Sequence, residues 1–336
     1  MGLDTRQIIL AQRPKGMPTA ETFLVRDISL PALTDEEVLL QTVYASVDPY
    51  MRGRMNDAKS YVPPYAVGAA ITGGVVAKVV ESRNTRFAVG DVVVGELPWQ
   101  EYSISSGKGL LKLDPQSGDH TAALGVLGMT GLTAYVGLQE IGKPKAGETL
   151  VVSGAAGAVG SIVGQIGKIL GCRVVGIAGT ADKVRMLTEE LGFDAAVNYK
   201  DADFSAKLKS ACPSGVDVYF DNVGGDVTDA VFRLLNDFAR IPVCGQIALY
   251  NQAGPDVGPR LFAYLVTRRA LAQGFIVSDY AKQFSEARAK LAEWLAAGKL
   301  KHRETIVEGF DRLPDAFLGL FRGDNTGKLL VHVADV

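Results

Sequence analysis

The second half of the chain alternates short apolar runs with longer stretches of helical periodicity. The apolar runs occupy residues 150–152, 173–177, 195–197, 216–220 and 240–243. Such alternation is typical of a parallel sheet whose strands are joined by right-handed helical crossovers. The pattern therefore predicts a doubly wound α/β domain. Its helices are expected near residues 158–170, 182–191, 202–210, 227–236 and 259–269, and a final strand at 272–277 precedes a helix over 280–297.

The first 122 residues lack this alternation. They contain β-branched runs such as EVLLQTV (37–43), GGVVAKVV (73–80) and DVVV (91–94), separated by clusters of glycine, proline and asparagine. Such runs favour a twisted sheet or a small barrel. Two more strands are expected at residues 304–308 and 328–333 and most simply return to this sheet. We therefore expect a mostly β domain from residues 1–122 and 303–336 and an α/β domain from 123–302.

The composition of the chain argues against several classes of function. The 336 residues are 47% apolar and carry a formal charge of −2, without a block of like charges, which argues against nucleic-acid or anionic-membrane partners. The longest weakly polar stretch, residues 149–163, is too short and too rich in glycine to span a bilayer. The N-terminal residues do not resemble a signal peptide, so a cytoplasmic location is expected.

Cysteine and histidine are few and scattered. The three cysteines and three histidines show neither disulfide-framework spacing nor the paired spacing of a metal site. The sequence therefore predicts neither disulfides nor a bound metal.

A glycine-rich segment, SGAAGAVG (153–160), lies directly between a predicted strand and a predicted helix. Against the dinucleotide fingerprint G-x-G-x-x-G, its three positions are Ala155, Gly157 and Gly160. Gly157 lets the backbone approach a pyrophosphate at the helix N-terminus, and Gly160 lets the helix pack closely on the sheet. A tight turn without a ligand would also use small residues, but the position between strand and helix favours dinucleotide binding.

The end of the second strand indicates which dinucleotide binds. An NAD site would carry Asp or Glu there to hold the ribose 2′-hydroxyl, whereas this chain has Ala178 and Gly179. Those small residues leave room for a 2′-phosphate, for which Lys183 supplies a cation and Thr180 a hydroxyl. Asp182 is expected only to cap the following helix. NADP(H) is therefore the predicted cofactor.

Eight segments form a specific set: SVDPYMR (46–52), GMTGLTAY (128–135), AAGAVG (155–160), NYK (198–200), FDNVGG (220–225), CGQIALYN (244–251), GFIV (274–277) and GDNTGK (323–328). Together they resemble the medium-chain dehydrogenase/reductase superfamily. Within it they are most similar to the zinc-free branch of leukotriene B4 12-hydroxydehydrogenase/prostaglandin reductase, alkenal double-bond reductases and curcumin reductase. The resemblance implies a Rossmann domain and a mostly β, GroES-like catalytic domain.

The resemblance also implies specific cofactor contacts. It places Gly157, Ala158 and Val159 at the pyrophosphate and Lys183 and Tyr199 around the 2′-phosphate. Along the nicotinamide half it places Asn222, Cys244, Gly245, Tyr250, Phe275, Ile276, Val277 and Asn325. For Cys244 a packing role is an open alternative, since no neighbour in the sequence would activate its thiol. Where zinc dehydrogenases of the superfamily carry a Cys and a His-Glu pair, this chain has SVD (46–48) and VGAA (67–70).

Without a metal, a reductase needs an electron sink in its substrate. An α,β-unsaturated ketone or aldehyde provides one, because hydride adds at the β-carbon and charge moves to the carbonyl oxygen, where hydrogen bonds stabilise it. The candidate donors are Tyr250 and Tyr50. Some relatives carry a tyrosine where alignment on Gly274 places Thr267, and Tyr264 lies one helical turn earlier. Water or the ribose hydroxyl could also supply the proton.

The sequence thus predicts an NADPH-dependent reductase of enones and enals. A zinc-free quinone reductase is one alternative, and an NADPH-binding module without turnover is another. The expected partners are a small-molecule substrate and a second copy of the chain, with the final Rossmann strand pairing across a two-fold axis.

Overall fold

The computed structural model of the chain describes residues 2–114 and 118–336. Its strands over these ranges are β1 (Leu3–Leu10), β2 (Phe23–Leu30), β3 (Val38–Ser46), β4 (Thr72–Ser82), β5 (Val92–Pro98), β6 (Tyr102–Ser105), β7 (Leu111–Lys112), β8 (Thr149–Val152), β9 (Arg173–Ala178), β10 (Ala195–Asn198), β11 (Val216–Phe220), β12 (Leu235–Val243), β13 (Leu271–Gly274), β14 (Glu304–Glu308) and β15 (Lys328–His332). Its α-helices there are α1 (Met51–Arg54), α2 (Met129–Val136), α3 (Gly160–Ile169), α4 (Ala181–Glu189), α5 (Phe204–Ala211), α6 (Gly225–Phe232), α7 (Phe262–Arg268), α8 (Phe284–Ala296) and α9 (Leu313–Arg322). Among these described helices, none combines the length and apolar character needed to cross a membrane.

The chain divides into two compact units. The first consists of Met1–Leu124, Glu304–Asn325 and Leu329–Val336. The second consists of Gly125–Arg303 together with the short segment Thr326–Lys328.

The first unit is built on a sheet with strand order β14-β15-β3-β4-β5-β7, in which β6 also pairs with β3. The pairings of β3 with β4, β6 and β15 are antiparallel, and β1 and β2 form a separate antiparallel pair. Helix α9 was not predicted from the sequence. It packs Phe317 against Phe23 and Trp99, with ring centroids 5.8 and 6.4 Å apart, and so completes a core within this unit.

The second unit contains six parallel strands in the order β10-β9-β8-β11-β12-β13. This order reverses direction next to β8, as in Rossmann folds, where ligands collect beyond the carboxyl ends of the strands at the reversal. The predicted doubly wound α/β fold is confirmed.

Several predicted boundaries in this unit are wrong. Helix α6 ends at Phe232, and β12 already begins at Leu235, where a helix was predicted to continue to residue 236. The last strand, β13, ends at Gly274 and not at residue 277. Phe275 leaves the sheet because its ring packs against Phe220, with centroids 6.2 Å apart, beside the backbone of Gly137. The chain then continues as a 3-10 helix, so α8 starts only at residue 284.

Candidate cofactor and active site

The glycine-rich turn, residues 153–160, carries the chain from β8 into α3. Gly154 has a φ of 59°, and the Gly157 amide donates to the Gly154 carbonyl at 3.0 Å. A Cβ atom at Gly160 would lie 2.3 Å from the same carbonyl oxygen, so the turn can close only around glycine there. The N-terminus of α3 thereby meets the carboxyl end of β8, where free amides and the helix dipole favour an anion such as a pyrophosphate.

A segment much later in the chain is bonded to this turn. The Gly327 amide donates to the Ala156 carbonyl at 2.8 Å. Gly327 has a φ of 68°, and a Cβ atom on it would lie 2.0 Å from the Arg303 carbonyl oxygen. Sequence reasoning did not identify Gly327, although it lies in the recognised segment GDNTGK. Asn325, a predicted cofactor contact, precedes it by two residues and belongs to the first unit.

The tip of β9 and the start of α4 form the second part of the candidate cofactor site. Thr180 caps α4, and its hydroxyl accepts a hydrogen bond from the Lys183 amide at 3.3 Å. The prediction that Asp182 is the cap is therefore wrong, and its carboxylate instead pairs with Arg185. The Tyr199 amide donates to the Ala178 carbonyl at 3.0 Å, so Tyr199 lies beside the same strand tip.

A buried carboxylate, which was not predicted from the sequence, organises the third part of the candidate cofactor site. Asp221 directly follows β11 and is 1% exposed. One carboxylate oxygen accepts from four donors and the other from two, all between 2.8 and 3.1 Å. The first four are the Ser153 and Tyr219 hydroxyls and the Val223 and Gly224 amides; the other two are the Thr228 hydroxyl and the Gln246 side-chain amide. Asp221 thus joins the ends of β8, β11 and β12, and its signal was an aspartate at a buried strand end.

Asn222 and the loop of residues 244–250 lie around this carboxylate. The Asn222 side-chain amide donates to the Ser153 carbonyl at 2.8 Å, and the Cys244 and Gly245 amides donate to the Asp221 carbonyl. Tyr250 does not lie at the end of β12 but follows a 3-10 turn, Ile247–Leu249. Its hydroxyl accepts a hydrogen bond from the Gln246 backbone amide at 3.3 Å. Burial raises the pKa of Tyr250, so the hydroxyl is neutral at physiological pH.

The surroundings of Cys244 disfavour the thiolate form of its side chain. Burial raises the pKa of the Cys244 thiol to about 12, and the negative charge of the Asp221 carboxylate adds a smaller contribution in the same direction. A thiol of that pKa carries almost no thiolate at neutral pH. This favours the packing alternative for Cys244.

The other predicted residues occupy different environments. Tyr264 and Thr267 lie on α7, where Tyr264 packs against the core of the second unit and the Thr267 hydroxyl donates to the Ala263 carbonyl. The Phe275 ring is buried in that unit. Tyr50 belongs to the first unit. Burial raises the pKa of its hydroxyl, and the negative charge of the Asp48 carboxylate adds a smaller contribution in the same direction.

Metal-binding residues do not cluster in the parts of the chain that the structure describes. No three His, Cys, Asp or Glu side chains there are placed to hold an ion.

Comparisons with known proteins match both units. A family described as the N-terminal domain of oxidoreductase matches residues 6–113, and one described as zinc-binding dehydrogenase matches residues 158–295. The chain belongs to the medium-chain dehydrogenase/reductase family and is an NADP-dependent oxidoreductase, which confirms the predicted family and cofactor.

Individual relatives are similar to the chain over almost its whole length. It is 48% identical over 334 residues to the NADPH-dependent curcumin reductase of Escherichia coli, covering 98% of this chain and 97% of that protein. It is 40% identical over 338 residues to an NADP-dependent 2-alkenal reductase of Nicotiana tabacum, covering 99% and 98%. The crystal structure of CurA from Vibrio vulnificus in complex with NADPH has a TM-score of 0.95 at 48% identity, covering 98% of this chain and all of that one.

Proposed function

We propose that this protein uses NADPH to reduce the carbon–carbon double bond of α,β-unsaturated ketones and aldehydes, without a metal. When bound, NADPH supplies a hydride, which adds to the β-carbon of the substrate. The protein must then stabilise negative charge on the carbonyl oxygen and allow protonation of the α-carbon. The names of the relatives, curcumin reductase and 2-alkenal reductase, support this substrate class.

The observation that carries the proposal is the state of the Tyr250 hydroxyl. Its oxygen already accepts a hydrogen bond from a backbone amide, and burial keeps it neutral. A neutral phenol of this kind can donate its proton to a developing enolate oxygen, which requires no metal. Tyr50 and Tyr264 remain candidates for a second donor or for shaping the substrate pocket.

The proposed cofactor contacts follow the three parts described above. Gly157, Ala158, Val159 and Gly160 would face the pyrophosphate. Thr180, Lys183 and Tyr199 would surround the 2′-phosphate, since all three lie at the tips of β9 and β10. In the second unit, the nicotinamide half would be met by Asn222, Cys244, Gly245, Tyr250, Phe275, Ile276 and Val277, while the contact from Asn325 of the first unit stays a prediction from the sequence.

Isotope labelling tests the reaction directly. With NADPH deuterated at C4 and an aryl enone, we expect deuterium at the substrate β-carbon and solvent hydrogen at the α-carbon. Deuterium at the carbonyl carbon would indicate an alcohol product and would refute the proposal. NADPH oxidation with quinones but not with enones would favour the quinone-reductase alternative, and binding of NADPH without turnover would favour the binding module.

We also propose that the protein is a homodimer. Strand β13 is the outer strand of its sheet, all four of its residues are exposed, and no described strand pairs with its outer edge. An open edge of this kind favours pairing with a second copy across a two-fold axis. Light scattering should give twice the chain mass of 35.7 kDa, and Leu271→Lys should shift the mass toward the monomer. A wild-type mass of 35.7 kDa would contradict the proposal.

A further inference from the structure

Besides backbone hydrogen bonds, the side chain of Gln246 anchors the loop of residues 244–250. Its side-chain amide donates to the Asp221 carboxylate at 2.9 Å and to the Gly245 carbonyl at 2.9 Å. The backbone amide of the same residue donates to the Tyr250 hydroxyl oxygen. Gln246 therefore connects a buried carboxylate to the phenol.

Two glycines leave this arrangement little freedom. A Cβ atom on Gly224 would lie 2.2 Å from the Gln246 side-chain oxygen, so the glutamine packs directly on that backbone. A Cβ atom on Gly245 would lie 3.2 Å from the Tyr250 hydroxyl oxygen. Gly224 also has a φ of 75°, which disfavours any larger residue. Both the glutamine side chain and the phenol oxygen thus fit against bare backbone.

The direction of the Tyr250 hydroxyl proton follows from the hydrogen bond that the Gln246 backbone amide donates to the hydroxyl oxygen. A tyrosine hydroxyl has one proton to donate, and its oxygen can accept other hydrogen bonds. Because the oxygen accepts from the Gln246 amide, the proton must point away from that amide. We propose that Gln246, fixed by Asp221, is a positioning residue that aims the Tyr250 proton at the substrate carbonyl oxygen. This inference rests on the proposed function, in which Tyr250 is the donor.

The hydrogen bond between Asp221 and Gln246 can be tested by exchanging the donor and the acceptor between the two side chains. In Asp221→Asn, the amide oxygen should remain where four donors converge, which leaves the amide nitrogen facing the Gln246 nitrogen. In Gln246→Glu, two carboxylates would face each other. In the double variant, the introduced amide can donate to the introduced carboxylate, which restores the bond with its direction reversed. We expect each single variant to lower kcat about 10-fold and the double variant to recover several-fold of that loss, incompletely because the bond to Gly245 is not restored.

A matched control is available on β11, the strand that directly precedes Asp221. Asp217 lies near the start of β11 and accepts hydrogen bonds from the Thr149 amide and the Asn236 side chain, both at 2.8 Å. Asp217→Asn makes the same chemical change far from the loop and should leave kcat unchanged. In the Asp221 and Gln246 variants, kcat should fall by a larger factor than the KM for NADPH rises, since the connection leads to the phenol.

A Tyr250→Phe background separates positioning from general structural support. If Gln246 acts through the phenol, Asp221→Asn should lower kcat much less in Tyr250→Phe than in the wild type. Equal losses in the two backgrounds, or no recovery in the exchanged double variant, would overturn the inference. Amide hydrogen exchange gives a readout without substrate. Exchange of the Gln246 backbone amide should be faster in Tyr250→Phe than in the wild type, and an unchanged rate would also overturn the inference. Failure of the proposed function would appear elsewhere, in the position that deuterium from labelled NADPH takes in the product.

Discussion

The ring of Tyr199 packs on the backbone of Gly179, where a Cβ atom would lie 2.8 Å from a ring carbon. Gly179 follows the tip of β9, where an NAD-binding domain carries Asp or Glu. Any side chain on Gly179 would displace the ring. This packing disfavours an acidic residue at position 179, and we expect the contact between the two neighbouring strand ends to contribute to the choice of NADP.

Replacement of Lys183 tests the phosphate side of that choice. Lys183→Ala should weaken NADPH binding by about 1–3 kcal/mol, the range for a charge-assisted hydrogen bond, and should leave NADH binding almost unchanged. Fluorescence titration with both cofactors measures the difference. Arg185→Ala, two residues along α4, removes a charge that is paired with Asp182 and serves as the control. Equal losses for NADPH and NADH would contradict the assignment.

Two glycines of the turn should differ in their tolerance of alanine. Gly160→Ala places a Cβ atom 2.3 Å from the Gly154 oxygen, so it should cost about 2–3 kcal/mol of unfolding free energy, as overpacking does. At Gly157 the same distance is 3.2 Å, and the cost should stay below about 1 kcal/mol. Denaturant unfolding of both variants gives the comparison. A larger loss for Gly157→Ala would show that the turn closes differently.

The two candidate phenols should respond unequally to removal of the hydroxyl. Tyr250→Phe should lower kcat about 10- to 1000-fold with NADPH affinity near wild type, because the hydrogen bond strengthens only as charge develops on the substrate. Tyr50→Phe should have a smaller effect on kcat. Since burial raises the pKa of Tyr250, the acid form persists as pH rises, and this group should cause no loss of kcat between about pH 6 and about pH 10. The opposite order of the two variants would assign the donor role to Tyr50.

All three thiols should resist alkylation in the folded protein. Burial raises the pKa of Cys172 and Cys212 to about 11 and that of Cys244 to about 12. Because the thiolate is the reactive form, iodoacetamide at about pH 8 should modify none of them within an hour. Mass spectrometry after unfolding in denaturant provides the control, in which all three react. Rapid labelling of native Cys244 would contradict its assignment as a packing residue.

Metal removal should not affect turnover. Prolonged chelation followed by gel filtration should leave enone reduction unchanged, since the proposed mechanism places the charge on a substrate oxygen that accepts from a phenol. Elemental analysis should find no stoichiometric zinc. One zinc per chain, with activity lost on its removal and restored on its return, would refute the metal-free proposal.

Local features of this site were predictable from sequence, and long-range ones were not. The strand, turn and helix around Gly160 are adjacent in the chain, so their spacing alone indicated the fold and the cofactor class. Asp221 accepts from donors that lie as far away as Ser153, which precedes it by 68 residues, and Gln246, which follows it by 25. No periodicity within one segment reports such a convergence. Its role became apparent only from the arrangement of the strand ends.

The end of the last strand was mispredicted for a related reason. Residues 272–277 are mostly apolar, and an apolar run favours a buried strand. Phe275 is instead buried by the ring of Phe220 and the bare backbone of Gly137, which is more than 130 residues earlier in the sequence. Burial outside the sheet left β13 short and exposed, a difference that side-chain pattern alone cannot reveal.

The bond from Gly327 to Ala156 has a consequence for biosynthesis. One hydrogen bond of the glycine-rich turn comes from a residue that is translated more than 170 positions later. A nascent chain can form β8, α3 and the neighbouring strands on the ribosome, but that bond cannot form before Gly327 has left the exit tunnel. The turn therefore gains this hydrogen bond only after Gly327 has been synthesised. A chain that terminates before this residue lacks the bond.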